Sequence, residues 1–374
     1  MAMYLGNKKV AVTNTVEKQV PSMKAFFEAG GMCSFSTATS FEGCWQFGDT
    51  VNVTDMNHMF YNCVNLKNIP SFDTSRVTNM EQMFSSCYSL TSVPLFNTAN
   101  VTNMKRMFFY CRSITTIPQF DVSRVTSMEQ MFSSCEKLTS ASISKSPNVT
   151  NMERMFDGCS KLTNVSIMDA SSVVNMHYML YNCYALTTVS ISKTSNVTNM
   201  NSMFSNCRVL TTINQLDTSN VTDMQEMFYY CSALVEAPLL NTSKVKNMDY
   251  MFSGCSHLTI VPLFDTSNVT SMYYMFSNCS KLTTIPQFDM SRVTNMTNMF
   301  NECSSLEAIH MININANLNI SSSTKFTRES LLEIIGNLKA QTSGNKTLTM
   351  GATNLAKLTD EDKAIATNKG WTLA

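Results

Sequence analysis

The sequence predicts an α/β solenoid, a stack of 24-residue coils that each comprise a short helix and a short parallel strand, closed by a distinct cap at either end. Three observations carry this expectation. Cysteine recurs at Cys63, Cys87, Cys111, Cys135, Cys159, Cys183, Cys207, Cys231, Cys255, Cys279 and Cys303, each 24 residues after the last, with no insertion. Methionine stands seven and four residues before each of them, from Met56 and Met59 to Met296 and Met299, so that two columns hold 22 of the 30 methionines. A phenylalanine column from Phe60 to Phe300 follows, broken once by Leu180. The unit reads VTNMxxMFxxCxxLTxIPxFDTSx. A fixed period of roughly 20 to 50 residues marks architectures in which each unit buries its apolar face only against its neighbours.

Within one unit, Met80, Met83, Phe84, Cys87 and Leu90 fall at i, i+3, i+4, i+7 and i+10, the apolar stripe of an amphipathic helix. Thr78 with Glu81 forms a capping-box pattern before it, repeated by Thr126/Glu129 and Thr150/Glu153 and varied by Thr222/Gln225. Pro94 or Pro118 cannot continue that helix and biases the residue before it toward extended backbone. The stretch from Leu90 to Phe96 is therefore an expected strand, and Asp-Thr-Ser is turn chemistry. One helix and one strand per 24 residues describes a leucine-rich-repeat-like coil. With strands about 4.8 Å apart, eleven coils would make a rod or arc roughly 50 Å long. The units around Ile143, Ile167 and Ile191 lose the proline, which predicts more regular β structure there.

The ends depart from the repeat, as solenoid caps do. Residues 1–50 form an N-terminal attachment or capping segment, residues 51–312 the eleven-unit array, and residues 313–374 a C-terminal cap. Gly6-Asn7 between Met3-Tyr4-Leu5 and Val10-Ala11-Val12 predicts a hairpin. A helix around Val20 to Ala29 and an imperfect first coil with Phe41, Cys44, Trp45 and Phe47 follow. In the C-terminal segment Thr327 predicts a cap for a helix from Arg328 to about Ala340, with Phe326 and Leu331 placed for a hydrophobic staple. Thr347 to Met350 reads as a strand, Thr359/Asp362 as a capping box, and Trp371-Thr-Leu as a last strand.

Composition narrows the function. The chain carries 27 basic and 27 acidic residues, and only 14% of positions are charged, against a typical share of about 25%. Zero net charge without a basic stripe argues against a nucleic-acid partner. No run approaches the roughly 18 apolar residues of a membrane span. The opening Met1-Ala2-Met3-Tyr4-Leu5-Gly6-Asn7-Lys8-Lys9 has no basic-then-apolar leader, so Sec export is not expected.

The sulfur could serve disulfides, metal or catalysis, but its register points to a core. Eleven cysteines share one interior phase beside Met and Phe, where free Cys is a small buried hydrophobe. Thiolate metal sites need ligands converging on one point, whereas a ladder spreads them along an axis, so no metal and no cofactor is expected. His58, His177, His257 and His310 sit at different repeat phases, and no Cys–His dyad recurs. Asp73, Asp121 and Asp265 occupy repeated turn positions instead of a unique acid/base site, so no catalytic residue is assigned. Asn-x-Thr triplets such as Asn100-Val-Thr and Asn148-Val-Thr arise from the turn consensus. The ladder itself is typified by Met83, Phe84, Cys87 and Leu90, and by Met203, Phe204, Cys207 and Leu210.

Tyrosine is the informative residue. Counted from the cysteine of each coil, Tyr273 falls at −6, Tyr178, Tyr250 and Tyr274 at −5, Tyr61, Tyr181 and Tyr229 at −2, Tyr110 and Tyr230 at −1, and Tyr88 and Tyr184 at +1. The buried phases are −7, −4, −3 and 0, so most of these rings point outward. The same variable positions carry Lys105, Arg106, Arg154 and His177. Tyrosine supplies rigid amphipathic contact area. Two readings stand: the rings form a recognition surface, or they cover the Met layer across neighbouring helices. The candidate interaction residues are Tyr110, Tyr178, Tyr181, Tyr184, Tyr229, Tyr230, Tyr250, Tyr273 and Tyr274.

The repeat MFxxCxxLTxIPxFDTSxVTNM, over about residues 51–312, resembles the BspA-like leucine-rich repeats of bacterial surface proteins. The resemblance implies coils stacked on a parallel β-sheet, and binding or adhesion instead of catalysis. Leu348-Thr-Met-Gly-Ala-Thr-Asn-Leu-Ala-Lys-Leu-Thr and Ala364-Ile-Ala-Thr-Asn-Lys-Gly-Trp-Thr-Leu are similar to the ends of repeat proteins encoded in phages and prophages. Tyr4-Leu5-Gly6-Asn7-Lys8-Lys9-Val10 resembles the start of phage tail and virion proteins. Together these imply a phage tail-associated or virion-surface binding protein, made in the host cytoplasm. Its partners would be other tail proteins or a host-surface protein or glycan, with a homo-oligomer open. The alternatives are a bacterial cell-surface adhesin exported without a Sec leader, a purely structural virion component, and a depolymerase.

Overall fold

The alternation of backbone amides determines the coil. In the computed structural model, which describes residues 2–5, 8–11, 50, 53–69, 71–342 and 345–374, the segment from −7 to the cysteine is a run of β-turns. Met83, Ser85 and Cys87 donate back three residues to the carbonyls of Met80, Gln82 and Phe84 at 3.1–3.2 Å. The intervening Met80, Gln82, Phe84 and Ser86 donate across to Asn103, Lys105, Met107 and Phe109 of the next coil at 2.7–3.0 Å. Closing the turns this way places positions −5 and −1 in the left-handed region. Non-glycine residues there lie at φ 51–63°, from His58 and Asn62 to Asn298 and Glu302, while Gly158 and Gly254 lie at 74° and 79°. That conformation costs a non-glycine residue roughly 1–2 kcal/mol, and in most coils it aims an amide at a carbonyl of the next coil.

This turn ladder replaces the helix expected over Met80–Leu90. Among the described residues no helix occurs between residues 53 and 327. The reason is spacing. Successive rings of the Phe column stack at 5.2–5.5 Å from Phe60 to Phe156, and a helix about 10–12 Å wide cannot repeat at that interval. Turns that return every three residues leave the same apolar stripe as a helix, which is why the pattern fits both. The expected capping residues have other partners. The Thr78 amide and hydroxyl both donate to the Thr54 carbonyl, and Glu81 Oε2 accepts from Asn103 Nδ2 at 3.2 Å.

The array is otherwise a parallel solenoid with a 24-residue step. Parallel bridges link Asp55, Asn79, Asn103, Ser127 and Asn151 in turn, and likewise Asn175 through Asn199, Asp223, Asn247 and Ser271 to Asn295. Strands become regular where proline is missing: β3 (Ser140–Lys145), β4 (Asn164–Asp169) and β5 (Thr188–Ile191). β3 and β4 pair in parallel with Ile143 opposite Ile167. Shorter strands β6 (Thr284–Ile285) and β7 (Ala308–Ile309) pair likewise. Met83, Phe84, Cys87, Leu90, Met203, Phe204, Cys207 and Leu210 are all fully buried.

The cysteine column is hydrogen-bonded as well as packed. Cys87, Cys111, Cys135 and Cys159 direct Sγ at the carbonyls of Phe60, Phe84, Phe108 and Phe132 in the preceding coil, at 3.1–3.2 Å. Cys231, Cys255, Cys279 and Cys303 do the same to Phe204, Phe228, Phe252 and Phe276 at 3.0–3.1 Å. The repeat cysteines are free and buried. Burial pushes the thiols of Cys87, Cys135, Cys207, Cys255 and Cys279 well above the ordinary range, and that of Cys303 up to about 12, which disfavours the thiolate that nucleophilic or metal chemistry requires.

The polar consensus is equally structural. Asp73 Oδ1 accepts from the Ser75 amide, and Asp121 Oδ1 from that of Ser123, at 2.8–2.9 Å. Those amides hold both carboxyls below the usual carboxylate range. The buried Thr74, Thr98, Thr218, Thr242 and Thr266 hydroxyls donate to a carbonyl of the next coil at 2.8–3.0 Å. Asn100 and Asn148 side-chain amides donate back to Ser75 and Ser123 carbonyls.

At the N-terminus, strands β1 (Ala2–Leu5) and β2 (Lys8–Ala11) form the expected antiparallel hairpin. The helix expected near Val20 and the imperfect coil through Trp45 lie outside the described residues. In the C-terminal segment, β8 (Leu318–Asn319) precedes α1 (Arg328–Gly336), which ends four residues earlier than expected. Its N-cap is a reciprocal box between Thr327 and Ser330. Strand β9 (Lys346–Thr349), helices α2 (Ala352–Leu355) and α3 (Asp360–Asn368) and strand β10 (Trp371–Leu373) complete the chain. Thr359 and Asp362 close the second capping box, and Arg328 grips the Asp362 carboxylate through two nitrogens at 2.6 and 2.8 Å. The sheet order is β10-β9-β8, all parallel.

The chain divides into two compact units inside the repeat array, a division the sequence reading did not contain. One comprises Met1–Val173 with Ser190–Ser192, the other Val174–Val189 with Lys193–Ala374.

Candidate interaction face

Positions −6, −5, −2 and −1 lie on the outer side of the turn ladder, and most of their residues are half-buried or exposed. Their backbone is fixed by the turn geometry, so the side chain is what varies from coil to coil. In the second unit this variation gathers aromatic rings. Tyr229 meets Tyr230 edge-on at 4.5 Å and Tyr250 at 5.9 Å. Tyr250 meets Tyr273 edge-on at 5.3 Å and stacks on Tyr274 at 5.2 Å, and Tyr273 and Tyr274 are 4.5 Å apart. Five rings from three successive coils thus form one continuous cluster. The Tyr274 hydroxyl is held by Asn298 Nδ2 of the following coil.

Glycine shapes one end of this cluster. A Cβ on Gly254 would come within 2.8–3.1 Å of three ring atoms of Tyr230. The missing side chain lets that ring settle against the next coil while 44% of Tyr230 stays exposed. The partial burial is chemically felt. Desolvation, with the hydroxyl of Tyr273 next in importance, pushes the Tyr250 phenol up to about 12. Burial, then Tyr230 and the nearby Glu226 carboxylate, raise the Tyr229 phenol.

The other candidate tyrosines fall in separate places. Tyr178 packs edge-on against Tyr181 at 4.9 Å and beside His177 at 4.1 Å, and Tyr181 is near enough to Tyr229 to raise its phenol further. Tyr184 lies beneath the Arg208 guanidinium at 4.8 Å and donates to Asn182 Oδ1 at 3.1 Å. Tyr110 belongs to the first unit, edge-on to Phe109 at 4.4 Å, with Arg112 5.5 Å from its ring and 5.2 Å from that of Tyr88. Thus Tyr229, Tyr230, Tyr250, Tyr273 and Tyr274 are brought together and Tyr110 is not among them.

Sequence reasoning missed Glu226, Asp249 and Gly254, which complete the cluster. Asp249 Oδ1 accepts from the Tyr273 amide at 2.8 Å and from the Ser271 hydroxyl at 2.5 Å, and so fixes the backbone that bears two of the rings. The available signal was the glycine directly following Tyr230 in the −1 column. No group of three or more His, Cys, Asp and Glu among the described residues is placed to hold a metal ion, and no helix among them is long and apolar enough to cross a membrane.

A parallel solenoid with an invariant interior and a variable outer face defines the molecule as a repeat protein of the leucine-rich type. The family described as "Mycoplasma protein of unknown function, DUF285" matches residues 31–146, 143–240, 206–311 and 238–330. These matches cover most of the chain, which therefore belongs to that family. Among solved structures, the chain is similar to a leucine-rich repeat protein from Bacteroides ovatus, at 17% identity over 86% of this chain and 88% of that one, with a TM-score of 0.42. It is also similar to a leucine rich cell surface protein from Faecalibacterium prausnitzii, at 19% identity over 77% and 76%, with a TM-score of 0.31. A leucine-rich repeat protein from Eubacterium ventriosum is 17% identical over 70% and 72%, with a TM-score of 0.36. No curated protein matches.

Proposed function

We propose that the protein is a non-enzymatic binding protein and that the tyrosine cluster of the second unit is its contact face. One observation carries this: Tyr229, Tyr230, Tyr250, Tyr273 and Tyr274 touch one another across three coils, at positions where the fold requires no aromatic residue. At the same positions of the preceding coil stand Asn201, Ser202, Ser205 and Asn206, so packing of the Met layer proceeds without rings. Rigid, half-exposed tyrosines supply contact area at small entropic cost. Against catalysis, the recurrent aspartates are engaged as turn caps and the cysteines as buried donors.

The similarity of both chain ends to phage repeat and virion proteins supports a finer reading, a place on a virion tail or surface with residues 1–50 as the attachment. The partner would then be a host-surface molecule or a neighbouring tail protein. The likeness of the repeat itself to BspA-like surface proteins favours a second place, the bacterial cell surface. Mass spectrometry of purified virions detects the chain on the first reading, and its absence from particles overturns that reading. Immunogold labelling of intact bacteria without virions is the outcome the second requires. For the face, simultaneous Tyr229→Ser, Tyr250→Ser and Tyr273→Ser should abolish attachment of the full chain to host cells while leaving the unfolding transition in place. Undiminished attachment would contradict it.

A further inference from the structure

Charge at the variable positions differs from what a neutral chain would lead one to expect. In the second unit, positions −6, −5, −2 and −1 hold Glu226, Asp249 and Glu302 but no Lys or Arg in any coil. Neither Glu226 nor Asp249 has a cationic partner among the described residues. Glu226 accepts from the Ser202 hydroxyl at 3.2 Å and from the Gln225 amide at 3.4 Å, and Asp249 from a hydroxyl and a backbone amide. Both carboxylates flank the ring cluster, Glu226 close enough to Tyr229 to perturb its phenol, Asp249 hydrogen-bonded to the Tyr273 backbone.

Aromatic faces attract cations through their quadrupole, and an adjacent carboxylate adds direct attraction that a half-buried setting screens less than water does. The fold already satisfies this preference elsewhere with its own arginines: Arg208 covers Tyr184, and Arg112 lies by Tyr88 and Tyr110. No such internal cation is found over Tyr229, Tyr230, Tyr250, Tyr273 or Tyr274 among the described residues. We propose that this face takes a Lys- or Arg-bearing segment of a partner protein, with the cationic side chains over the rings and beside Glu226 and Asp249. The inference rests on the proposed role of the tyrosine cluster, and supplies the chemical class of its partner. Coils stacked at the spacing of β-strands offer a ring or a carboxylate at each step, which suits an extended peptide along the stack.

The probe is an eight-residue peptide of alternating Lys and Ser, beside a counterpart with acetylated lysines, titrated against the full chain by calorimetry at low and at physiological salt. The cationic peptide should bind and the acetylated one should bind at least about tenfold more weakly. Glu226→Gln should weaken the cationic peptide several-fold, as should Asp249→Asn, with unchanged unfolding midpoints. Tyr230→Ser should weaken it comparably, whereas Glu81→Gln with Glu129→Gln in the first unit should leave it unchanged. Equal binding of the acetylated peptide, no binding of the cationic one, or an equal loss from the first-unit variant would overturn the proposal. These outcomes are separable from failure of the face itself. If the Tyr229/Tyr250/Tyr273 serine variant loses attachment to host cells while the cationic peptide never binds, the face stands and the cationic partner falls. If that variant attaches normally, both fall.

Discussion

In the first unit the outer turn positions carry Lys105, Arg106, Glu129, Arg154 and Asp157; in the second unit the equivalent positions carry Tyr229, Tyr230, Tyr250, Tyr273 and Tyr274. The backbone does not distinguish them. Arg106 and Arg154 sit at φ 55° and 51°, Tyr250 and Tyr274 at 57° and 54°. The side chains differ in how they are satisfied. Lys105 pairs with Glu129 at 3.0 Å, Arg154 with Asp157 at 3.0 Å, and Arg106 bonds Gln130. In the second unit the rings touch one another and the carboxylates beside them have no cation. One scaffold thus bears an outer face whose charges pair within the chain and another whose rings and carboxylates have no internal cation among the described residues. On the proposed reading, stability rests on the inner columns of the repeat and recognition on the outer ones.

The comparison can be broken first in the core, where the units should behave alike. Phe108→Ala and Phe228→Ala each remove a stacked, fully buried ring and should each cost about 3–5 kcal/mol in denaturant unfolding. A large difference between them would mean that the columns are not equivalent. Replacing Met203 by Lys should be at least as damaging, because it buries an unpaired charge.

Glycine gives a sharper contrast. Gly158 and Gly254 share the −1 column and a positive φ. A Cβ at Gly158 comes no closer than 3.3 Å, to the Ser134 hydroxyl, whereas at Gly254 it strikes the Tyr230 ring at 2.8 Å. Gly158→Ala should cost about 1 kcal/mol. Gly254→Ala should cost more, and should also shift the tyrosine fluorescence, since Tyr230 must move.

The smallest effects concern charge. Lys105→Ala should change stability by about 1 kcal/mol or less, because this half-buried ion pair is still partly screened by solvent. In the second unit, Tyr250 has a phenol pKa raised to about 12 against an ordinary value of about 10. The folded state therefore keeps the proton longer than the unfolded chain. The stability this contributes is complete below about pH 10 and is lost as pH rises through the folded value. A spectrophotometric titration should show a late-ionising tyrosine whose ionisation moves earlier in the Tyr273→Ser variant without reaching the ordinary value, because burial is the larger cause of its shift.

The period, the core columns and the parallel stacking were legible because cysteine, methionine and phenylalanine recur without insertion. The conformation of the Met–Met–Phe–Cys segment was not, because a helix and a run of β-turns produce the same i, i+3, i+4, i+7 stripe. Asn62, Gly158, Asn182, Asn206, Gly254 and Asn278 in the −1 column were the discriminating signal, since Asn and Gly are the residues that accept a positive φ. The outward placement of tyrosine was legible from its phase alone. Which rings would meet was not, since it depends on coil-to-coil neighbours such as Tyr250 over Tyr274 and on the opening left by Gly254. Nor did the sequence by itself separate paired carboxylates such as Glu129 from unpaired ones such as Glu226.

The most direct test of the central claim compares the two units on one readout, the equilibrium attachment of labelled full-length chain to intact host cells. The Tyr229/Tyr250/Tyr273 serine variant should lose at least about tenfold in affinity, because interface energy concentrates in a few aromatic anchors. A Lys105/Arg106 alanine variant of the first unit should attach like the wild type. Loss of attachment from the first-unit variant alone, or full attachment by the serine variant, would contradict the account.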